Sequence, residues 1–327
     1  MNMLHNMTFH SNGSKNSNGT VHNKDIDPQV LKWISLIILL GILSLNILVL
    51  ALLLSRQNKS RMKFFVANLA FADLCVCIFF ELPETLFNRF EVQWNPYVCY
   101  IYYVYFSMVP FYVSTYAIVV LSIDRAYVIV KPLAAASQGN TYRYGLALSA
   151  WITGCLLAIP YGVFGVYTED NKRCEQTFPN QLVILYADFS SIIIISVIVI
   201  TVCYIIIIIT IRRREMNGFM QRKNINSHKD CCTDASDTRI SKAKIRSIQL
   251  LFVVVFAYIT CWAPVTIAAI LLYHEIAEKG LWFQVLFLLA PLNSLANPLV
   301  FLIFNKKMLL SKTKKTKTKV VSGKALE

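Results

Sequence analysis

Seven long apolar segments recur along the chain and are separated by polar stretches. Each segment approaches the ~20 apolar residues that an α-helix needs to cross a hydrocarbon core about 30 Å thick. We predict spans at 32–55, 64–88, 99–130, 143–164, 181–211, 243–272 and 281–304. The pattern therefore predicts an all-α fold, in which seven transmembrane helices form one bundle between residues 32 and 304.

The polar segments outside the spans predict regions without a packed core. Residues 1–31 are rich in Asn and Ser and predict a disordered tail. The 212–242 loop is rich in charged residues and poor in apolar ones, which is typical of a flexible linker. Residues 305–327 form a basic tail, which we expect to begin with a short amphipathic helix from Asn305 to about Lys312.

Composition and charge placement support a membrane protein and predict its orientation. The chain is 56% hydrophobic and 15% charged, whereas soluble domains are about half apolar and about a quarter charged. The net charge of +14 is concentrated in alternate loops, at Arg56–Lys63, Arg212–Arg214, Arg239–Arg246 and Lys306–Lys319. Positive charge is retained on the cytoplasmic side. We therefore expect a multi-pass protein of the lipid bilayer with its N-terminus outside, and no nucleic-acid partner.

Candidate modification sites lie on the predicted outer side. The sequons at Asn6, Asn12 and Asn18 fall in the N-terminal tail, where they can be glycosylated. Cys99, at the outer end of span three, and Cys174, between spans four and five, both face the oxidising compartment. We expect these two cysteines to form a disulfide, and two free thiols are the alternative.

Polar residues inside the spans are the main candidates for function, because a polar group in hydrocarbon must be paired or line a hydrated cavity. They are Asn46, Asp73, Asn293, Ser294 and Asn297. Asp73 must be protonated or find a cation, whereas Asn46 is compatible with a purely structural interhelical hydrogen bond.

The cytoplasmic half carries a charge pair and two kinked helices. Asp124 and Arg125 close span three, and the carboxylate can hold the guanidinium until another group competes for it. Pro264 and Pro298 lie inside spans six and seven, where proline removes a backbone hydrogen bond and bends the helix. Trp262 places a large ring beside the first bend; core packing is its other interpretation.

Taken together, these residues resemble the rhodopsin-like (class A) G-protein-coupled receptors. The similarity runs from Asn46 to Phe304 and rests on motifs in the right order and spacing: Asn46-x-x-Val49, Leu69-Ala70-Phe71-Ala72-Asp73-Leu74, Cys99, Asp124-Arg125-Ala126, Trp151, Cys174, Tyr204, Cys261-Trp262-Ala263-Pro264 and Asn297-Pro298-Leu299-Val300-Phe301.

The resemblance implies roles for named residues and a set of partners. Activation and G-protein coupling would involve Asp124, Arg125, Tyr204, Trp262, Pro264, Asn297 and Pro298. A sodium cavity would be lined by Asp73, Ser114, Asn293, Ser294 and Asn297. No cofactor is implied beyond this allosteric Na⁺. The implied partners are a heterotrimeric G protein, of the calcium-mobilising type, and arrestin.

Within that class, the run from Ser241 to Arg246 and the Leu82-Pro83-Glu84 segment resemble the vasopressin/oxytocin receptors and their neuropeptide relatives, including gonadotropin-releasing and adipokinetic hormone receptors. A peptide ligand is therefore expected, with contacts at Glu84, Glu81, Tyr103, Ser107 and Trp262. Asp73 and Glu84 lie eleven residues apart, close to three helical turns. A regular helix would place them on one face.

Several positions depart from the family pattern. Ala126 and Phe301 each stand where a tyrosine is usual, and Ser196 stands where span five usually has proline. Span three holds one extra residue between Cys99 and Arg125, with Pro110 inside it. We expect a local bulge there.

The same residues bear on other functions. The outer half of span three holds no acid, which argues against a monoamine receptor, and span seven holds no lysine, which argues against an opsin. A chemosensory receptor for a small ligand is one alternative. A transporter or channel is another, because Asp73 and Asn297 would also suit an ion path. Nothing in the sequence supports an enzyme.

Overall fold

Among the residues that the computed structural model describes, seven helices are long and apolar enough to cross a membrane, as the sequence predicts. The structure describes residues 28–55, 61–93, 95–168, 173–176, 178–225, 242–277 and 281–305. The α-helical part of each span is α1 (Pro28–Leu54), α2 (Arg61–Val76), α3 (Met108–Val130), α4 (Asn140–Leu157), α5 (Ser196–Ile225), α6 (Lys242–Tyr273) and α7 (Leu289–Phe304).

Shorter helical pieces extend or join these elements. Segments with i→i+5 hydrogen bonding, the π-helical pattern, are Cys77–Glu81 and Glu84–Arg89 after α2, Val98–Tyr105 before α3, and Phe189–Ile195 before α5. Short α-helices are Pro132–Ser137 after α3, Ile159–Phe164 after α4, Gln181–Asp188 at the start of span five, and Leu281–Phe287 before α7.

The helix boundaries correct two predictions. α1 begins at Pro28, four residues before the predicted start, and α5 continues to Ile225, through the first part of the predicted 212–242 loop. Arg212–Arg214 end the apolar span, but Arg, Glu and Met are good helix formers, so the helix continues beyond the membrane. The proposed helix from Asn305 to Lys312 and the sequons at Asn6, Asn12 and Asn18 lie outside the described residues, Asn305 excepted.

α3 is the central helix of the bundle. It packs against α2, α4 and α5, while α1 packs against α2 and α7, and α6 packs against α7. Burial follows this arrangement, since 72% of the apolar stretch of α3 is buried, compared with 28% in α4. Apolar side chains on the outer helix faces are exposed, among them Ile37, Ile198, Ile205 and Phe252. Such a surface fits contact with lipid chains.

One end of the bundle is closed by a hairpin and a disulfide. Strands β1 (Gly165–Thr168) and β2 (Arg173–Gln176) pair antiparallel with Tyr167 opposite Cys174. Cys174 is bonded to Cys99, as predicted, which ties β2 to the start of span three. We call this the disulfide end, and the end that carries Asp124 and Arg125 the Arg125 end.

The bulge expected in span three is confirmed. Val98–Tyr105 is π-helical, and a turn at 106–107 separates it from α3, which begins just before Pro110. The i→i+5 pattern accommodates an inserted residue without ending the helix, and Pro110 has no N–H to continue a regular ladder.

Gly154 lies at a close contact between α4 and α3. A Cβ at Gly154 would stand 2.5 Å from Val113 Cγ2 and 3.2 Å from the Val109 carbonyl oxygen. Gly154→Ala should therefore force the helices apart and lower the free energy of unfolding by about 1–3 kcal/mol, visible as a lower melting temperature of the purified protein. Gly145→Ala is the matched control, because nothing lies within 4 Å of its Cβ position. Equal melting temperatures for the two variants would contradict this packing.

Candidate functional site

A cavity of about 590 Å³, part of it open to solvent, lies between the start of α3, the short helix Ile159–Phe164, span five and α6, in the half nearer the disulfide. Most of its walls are apolar or aromatic. Its lining residues are Met108, Tyr161, Phe178, Leu185, Asp188, Ile192, Trp262, Val265, Thr266 and Ala269. Apolar walls with a few convergent polar groups are typical of small-molecule and ligand-binding sites.

Asp188 is the acidic residue of this cavity, and two tyrosines hold its carboxylate. The hydroxyl of Tyr112, on α3, donates to Oδ1, and the hydroxyl of Tyr161, on the short helix after α4, donates to Oδ2. Both tyrosines are buried. The carboxylate therefore cross-links three helical elements while it faces the cavity.

Trp262 is one of the four lining residues that α6 contributes, and it is almost fully buried. Its ring meets Phe111 edge to face at 5.2 Å between centroids, and Phe111 in turn meets Phe80 at 4.6 Å. The Trp262 Nε1–H has no hydrogen-bond partner among the described residues. This aromatic row connects α6, α3 and the second span directly beneath the cavity.

The position of Asp188 depends on the π-helical segment that follows it. That segment leaves backbone carbonyls without their usual α-helical donors, and side-chain hydroxyls replace them. Ser196 donates to the Ser191 carbonyl at 3.1 Å, Tyr116 on α3 reaches the same oxygen at 3.4 Å, and Tyr258 on α6 donates to the Ile192 carbonyl. Ser196 thus stabilises the bulge at the position where the family usually has proline.

Glu81 and Glu84 lie in a separate polar cluster at the disulfide end, between α1 and the second span. Ser35 on α1 donates to Glu81 Oε1 at 3.0 Å, and its hydroxyl lies 3.1 Å from that of Thr85. Glu84 accepts a hydrogen bond of 2.6 Å from Asn88, and its Oε1 lies 3.7 Å from Arg89 Nε. Neither acid lines the cavity.

The regular helix assumed between Asp73 and Glu84 was wrong. Cys77–Glu81 and Glu84–Arg89 are π-helical, so the side chains that follow are rotated from the positions a 3.6-residue period gives. Glu84 consequently meets partners four and five residues ahead on its own helix. Ser107 is buried at the start of α3 but does not line the cavity, and the side chain of Tyr103 lies outside the described part of the chain.

Asp73 is fully buried in the middle of the bundle and joins three helices. Ser114 on α3 donates to Oδ1 at 2.8 Å, and Asn297 on α7 donates to Oδ2 at 2.9 Å. The side-chain oxygens of Asn293 and Asn297 are buried and have no partner among the described residues. A carboxylate beside unpaired carbonyl-type oxygens is the ligand set that a hard cation such as Na⁺ prefers.

Asn46 and Ser294 lie at the neighbouring helix contact. The Asn46 amide donates to the Ile42 carbonyl on its own helix and to the Ser294 carbonyl on α7, both at 3.0 Å. Asn46 is thus an interhelical hydrogen-bond partner, the structural interpretation considered for it from the sequence.

At the Arg125 end, a single buried carboxylate binds two arginines. Asp124 Oδ2 accepts from Arg125 at 2.6 Å, and its Oδ1 accepts from Arg61 Nε, on α2, at 2.5 Å. Arg61 also donates to the Ala135 carbonyl at 3.0 Å and lies over the rings of Tyr127 and Tyr142. Arg61 therefore fixes the segment after α3 against α2.

The remaining activation residues lie between these two ends. Pro264 and Pro298 are inside continuous helices, as predicted. The Tyr204 hydroxyl is 3.4 Å from the Ile248 carbonyl on α6. Phe301 is buried and, being a phenylalanine, has no hydroxyl with which to bond Tyr204.

Sequence reasoning missed Asp188 and Arg61. Asp188 interrupts an apolar run near the start of span five, and an intramembrane acid is itself a signal. Arg61 lies within the basic run Arg56–Lys63, and the sequence does not reveal that its side chain contacts Asp124. Among the described residues, no group of three or more His, Cys, Asp or Glu side chains is placed to hold a metal ion.

Comparison with known proteins gives matches along most of the chain. The family described as 7 transmembrane receptor (rhodopsin family) matches residues 45–301. The chain is 29% identical over 296 residues to the mesotocin receptor of Rhinella marina, covering 86% of this chain and 75% of that protein. It is 32% identical over 267 residues to the neuropeptide S receptor of Mus musculus, covering 76% of this chain and 70% of that receptor. It is 28% identical over 323 residues to the oxytocin receptor of Ovis aries, covering 90% of this chain and 82% of that receptor.

Arg61→Gln should destabilise the Arg125 end, because Asp124 is fully buried and would lose one of its two cationic donors. Leaving a buried charged acceptor partly unpaired costs about 1–3 kcal/mol, which should appear as a lower melting temperature. Lys131→Gln removes the same charge from an exposed residue at the same end and should change little. Equal melting temperatures for both variants would show that Arg61 does not carry this contact.

Proposed function

Because this chain belongs to the rhodopsin family of seven-transmembrane receptors, we propose that it is a cell-surface receptor for an extracellular peptide and signals through a heterotrimeric G protein. The observation that carries the proposal is the arrangement of the bundle. A cavity lined by Asp188 and Trp262 lies in one half, and the Asp124–Arg125 pair closes the other. The family is one of receptors, so the transporter and enzyme alternatives have no further support.

A peptide is favoured over a small odorant by the kinds of relatives this chain resembles. They include receptors for mesotocin, cephalotocin, oxytocin, vasopressin and neuropeptide S. Trp262 would meet the part of the peptide that reaches the cavity floor. Glu84, Glu81, Tyr103 and Ser107 remain proposed contacts nearer the mouth, where Glu84 would exchange its weak contact with Arg89 for a group of the ligand.

The mechanism is a shift between two populations of the bundle. A ligand that binds better to the active form moves the equilibrium towards it. Trp262 lies two residues before the proline of α6 and packs on α3 through Phe111, so a change at the cavity floor can bend α6 relative to α3. Release of Arg125 from Asp124 would then expose the guanidinium to the G protein.

The orientation and the intracellular partners follow from charge placement and family. We propose an extracellular N-terminus glycosylated at Asn6, Asn12 or Asn18, with the disulfide end outside and the Arg125 end in the cytoplasm. Coupling to a calcium-mobilising G protein and binding of arrestin are proposed from the resemblance alone. A calcium-release screen of cells expressing the receptor, against the peptides of the relatives above, tests the ligand class and the coupling together.

Arg125→Ala should abolish signalling while binding is retained, because Arg125 lies at the end of α3 opposite the cavity. The measurement compares calcium release with binding of a labelled peptide from the screen, at matched surface expression. Lys131→Ala, an exposed cation at the same end, is the control and should signal nearly as the parent protein does. Normal signalling by Arg125→Ala would contradict the proposed activation mechanism.

We also propose that Asp73, Ser114, Asn293, Ser294 and Asn297 line a sodium site that favours the inactive form. Sodium should then raise the melting temperature of the purified receptor relative to potassium at equal concentration, since a ligand of the folded state stabilises it. Asp73→Asn removes the charged ligand and should abolish the difference between the two salts. If the variant and the parent protein respond alike to sodium, the ion does not bind at Asp73.

A further inference from the structure

We propose that Asp188 is the anchor for a cationic group of the ligand, an ammonium or guanidinium carried on an apolar or aromatic stem. The inference rests on the proposed receptor function and names the chemistry that its cavity selects. It differs from the expectation drawn from the sequence, which placed the acidic ligand contacts at Glu84 and Glu81.

The charge of the cavity comes from Asp188. The other lining residues are apolar, aromatic or hydroxyl-bearing, so Asp188 is the ionisable carboxylate that faces this space. Among the described residues, no lysine, arginine or histidine forms an ion pair with it. A carboxylate in an apolar pocket attracts a cation far more strongly than the same group in water.

The tyrosines leave part of the carboxylate open. An ionised carboxylate has about four lone-pair directions, and the hydroxyls of Tyr112 and Tyr161 occupy one on each oxygen. Neutral hydroxyls fix the carboxylate in place but do not cancel its charge. The group is therefore held in position with unused acceptor capacity, which is the preorganisation that a charged ligand group requires.

The aromatic rings of the cavity determine which kind of cation fits there. Phe178 follows β2 at the disulfide end and packs against the Tyr161 ring at 5.3 Å between centroids, while Trp262 lies at the other side of the cavity. A cation over such rings gains from cation–π attraction, and a neighbouring apolar stem fills the space between them. A bare inorganic cation would leave these walls unfilled, so an organic cation fits better.

The acids of the second span are engaged elsewhere. Glu81 bonds to Ser35 of α1, and Glu84 bonds to Asn88 and faces Arg89. Because neither of them lines the cavity, the recognition of a cation in this space falls to Asp188. The competing explanation is that Asp188 serves only to join α3, the short helix Ile159–Phe164 and span five.

The test compares phenethylamine with its neutral counterpart 2-phenylethanol, both as probes of the purified full-length receptor. The amine at ten times its dissociation constant should raise the melting temperature by about 3 °C, and the alcohol should raise it much less. Asp188→Asn keeps the size of the side chain and its ability to bond the tyrosines, and it should lose the effect of the amine. Glu275→Gln, an exposed acid-to-amide change near the disulfide end, should keep the effect.

Three results would overturn the proposal. Equal shifts for amine and alcohol in the parent protein would do so without any variant, even if Asp188→Asn failed to fold. An amine-specific shift that survives in Asp188→Asn would leave only the structural role. Loss of the shift in Glu84→Gln with retention in Asp188→Asn would return the anchor to the second span. This thermal-shift test is independent of the calcium-release screen. A protein that responds to a peptide in the screen but shows no amine-specific shift would refute the Asp188 anchor and leave the proposed receptor function standing.

Discussion

A polar group buried between apolar helices needs a partner, and in this bundle α3 supplies partners at every level. Near the disulfide end its Tyr112 holds Asp188, in the middle its Ser114 holds Asp73, and at the other end its Asp124 holds Arg125 and Arg61. The position of α3 at the centre of the packing makes this possible, because the neighbouring elements that carry the other half of each pair all contact it. A displacement of α3 would therefore disturb all three polar centres together.

Departures from regular α-helix are the second feature on which the site depends. In an apolar environment a backbone carbonyl freed by a π-helical segment needs a new donor, and tyrosine and serine hydroxyls provide it. Tyr102 donates to the Ile78 carbonyl at 2.5 Å, and Ser196 and Tyr258 serve the carbonyls of the segment before α5. Each bulge rotates the residues on one side of it relative to those on the other, which affects the direction of Asp188, just before one bulge, and of Glu84, within another.

The two halves of the molecule are connected by side chains that each touch more than one helix. Trp262 forms the cavity floor and packs on Phe111 of α3, and Asp73 joins α2, α3 and α7 one layer below. A ligand that changes the packing around Trp262 can therefore alter the relation of α6 to α3. Under the proposed mechanism, such a change would be transmitted to the Asp124–Arg125 pair, which lies towards the other end of α3.

The sequence by itself determined the seven spans, the bond between Cys99 and Cys174, the bulge in span three and the class of receptor. Apolar length, charge alternation and motif order are local properties of the chain, so they can be read without coordinates. Only the tertiary structure decided which acid faces the cavity and that Arg61 binds Asp124. The direction of a side chain depends on the irregular turns near it in the helix, and its partner on another helix depends on how the helices pack. Neither is encoded at a fixed spacing in the sequence.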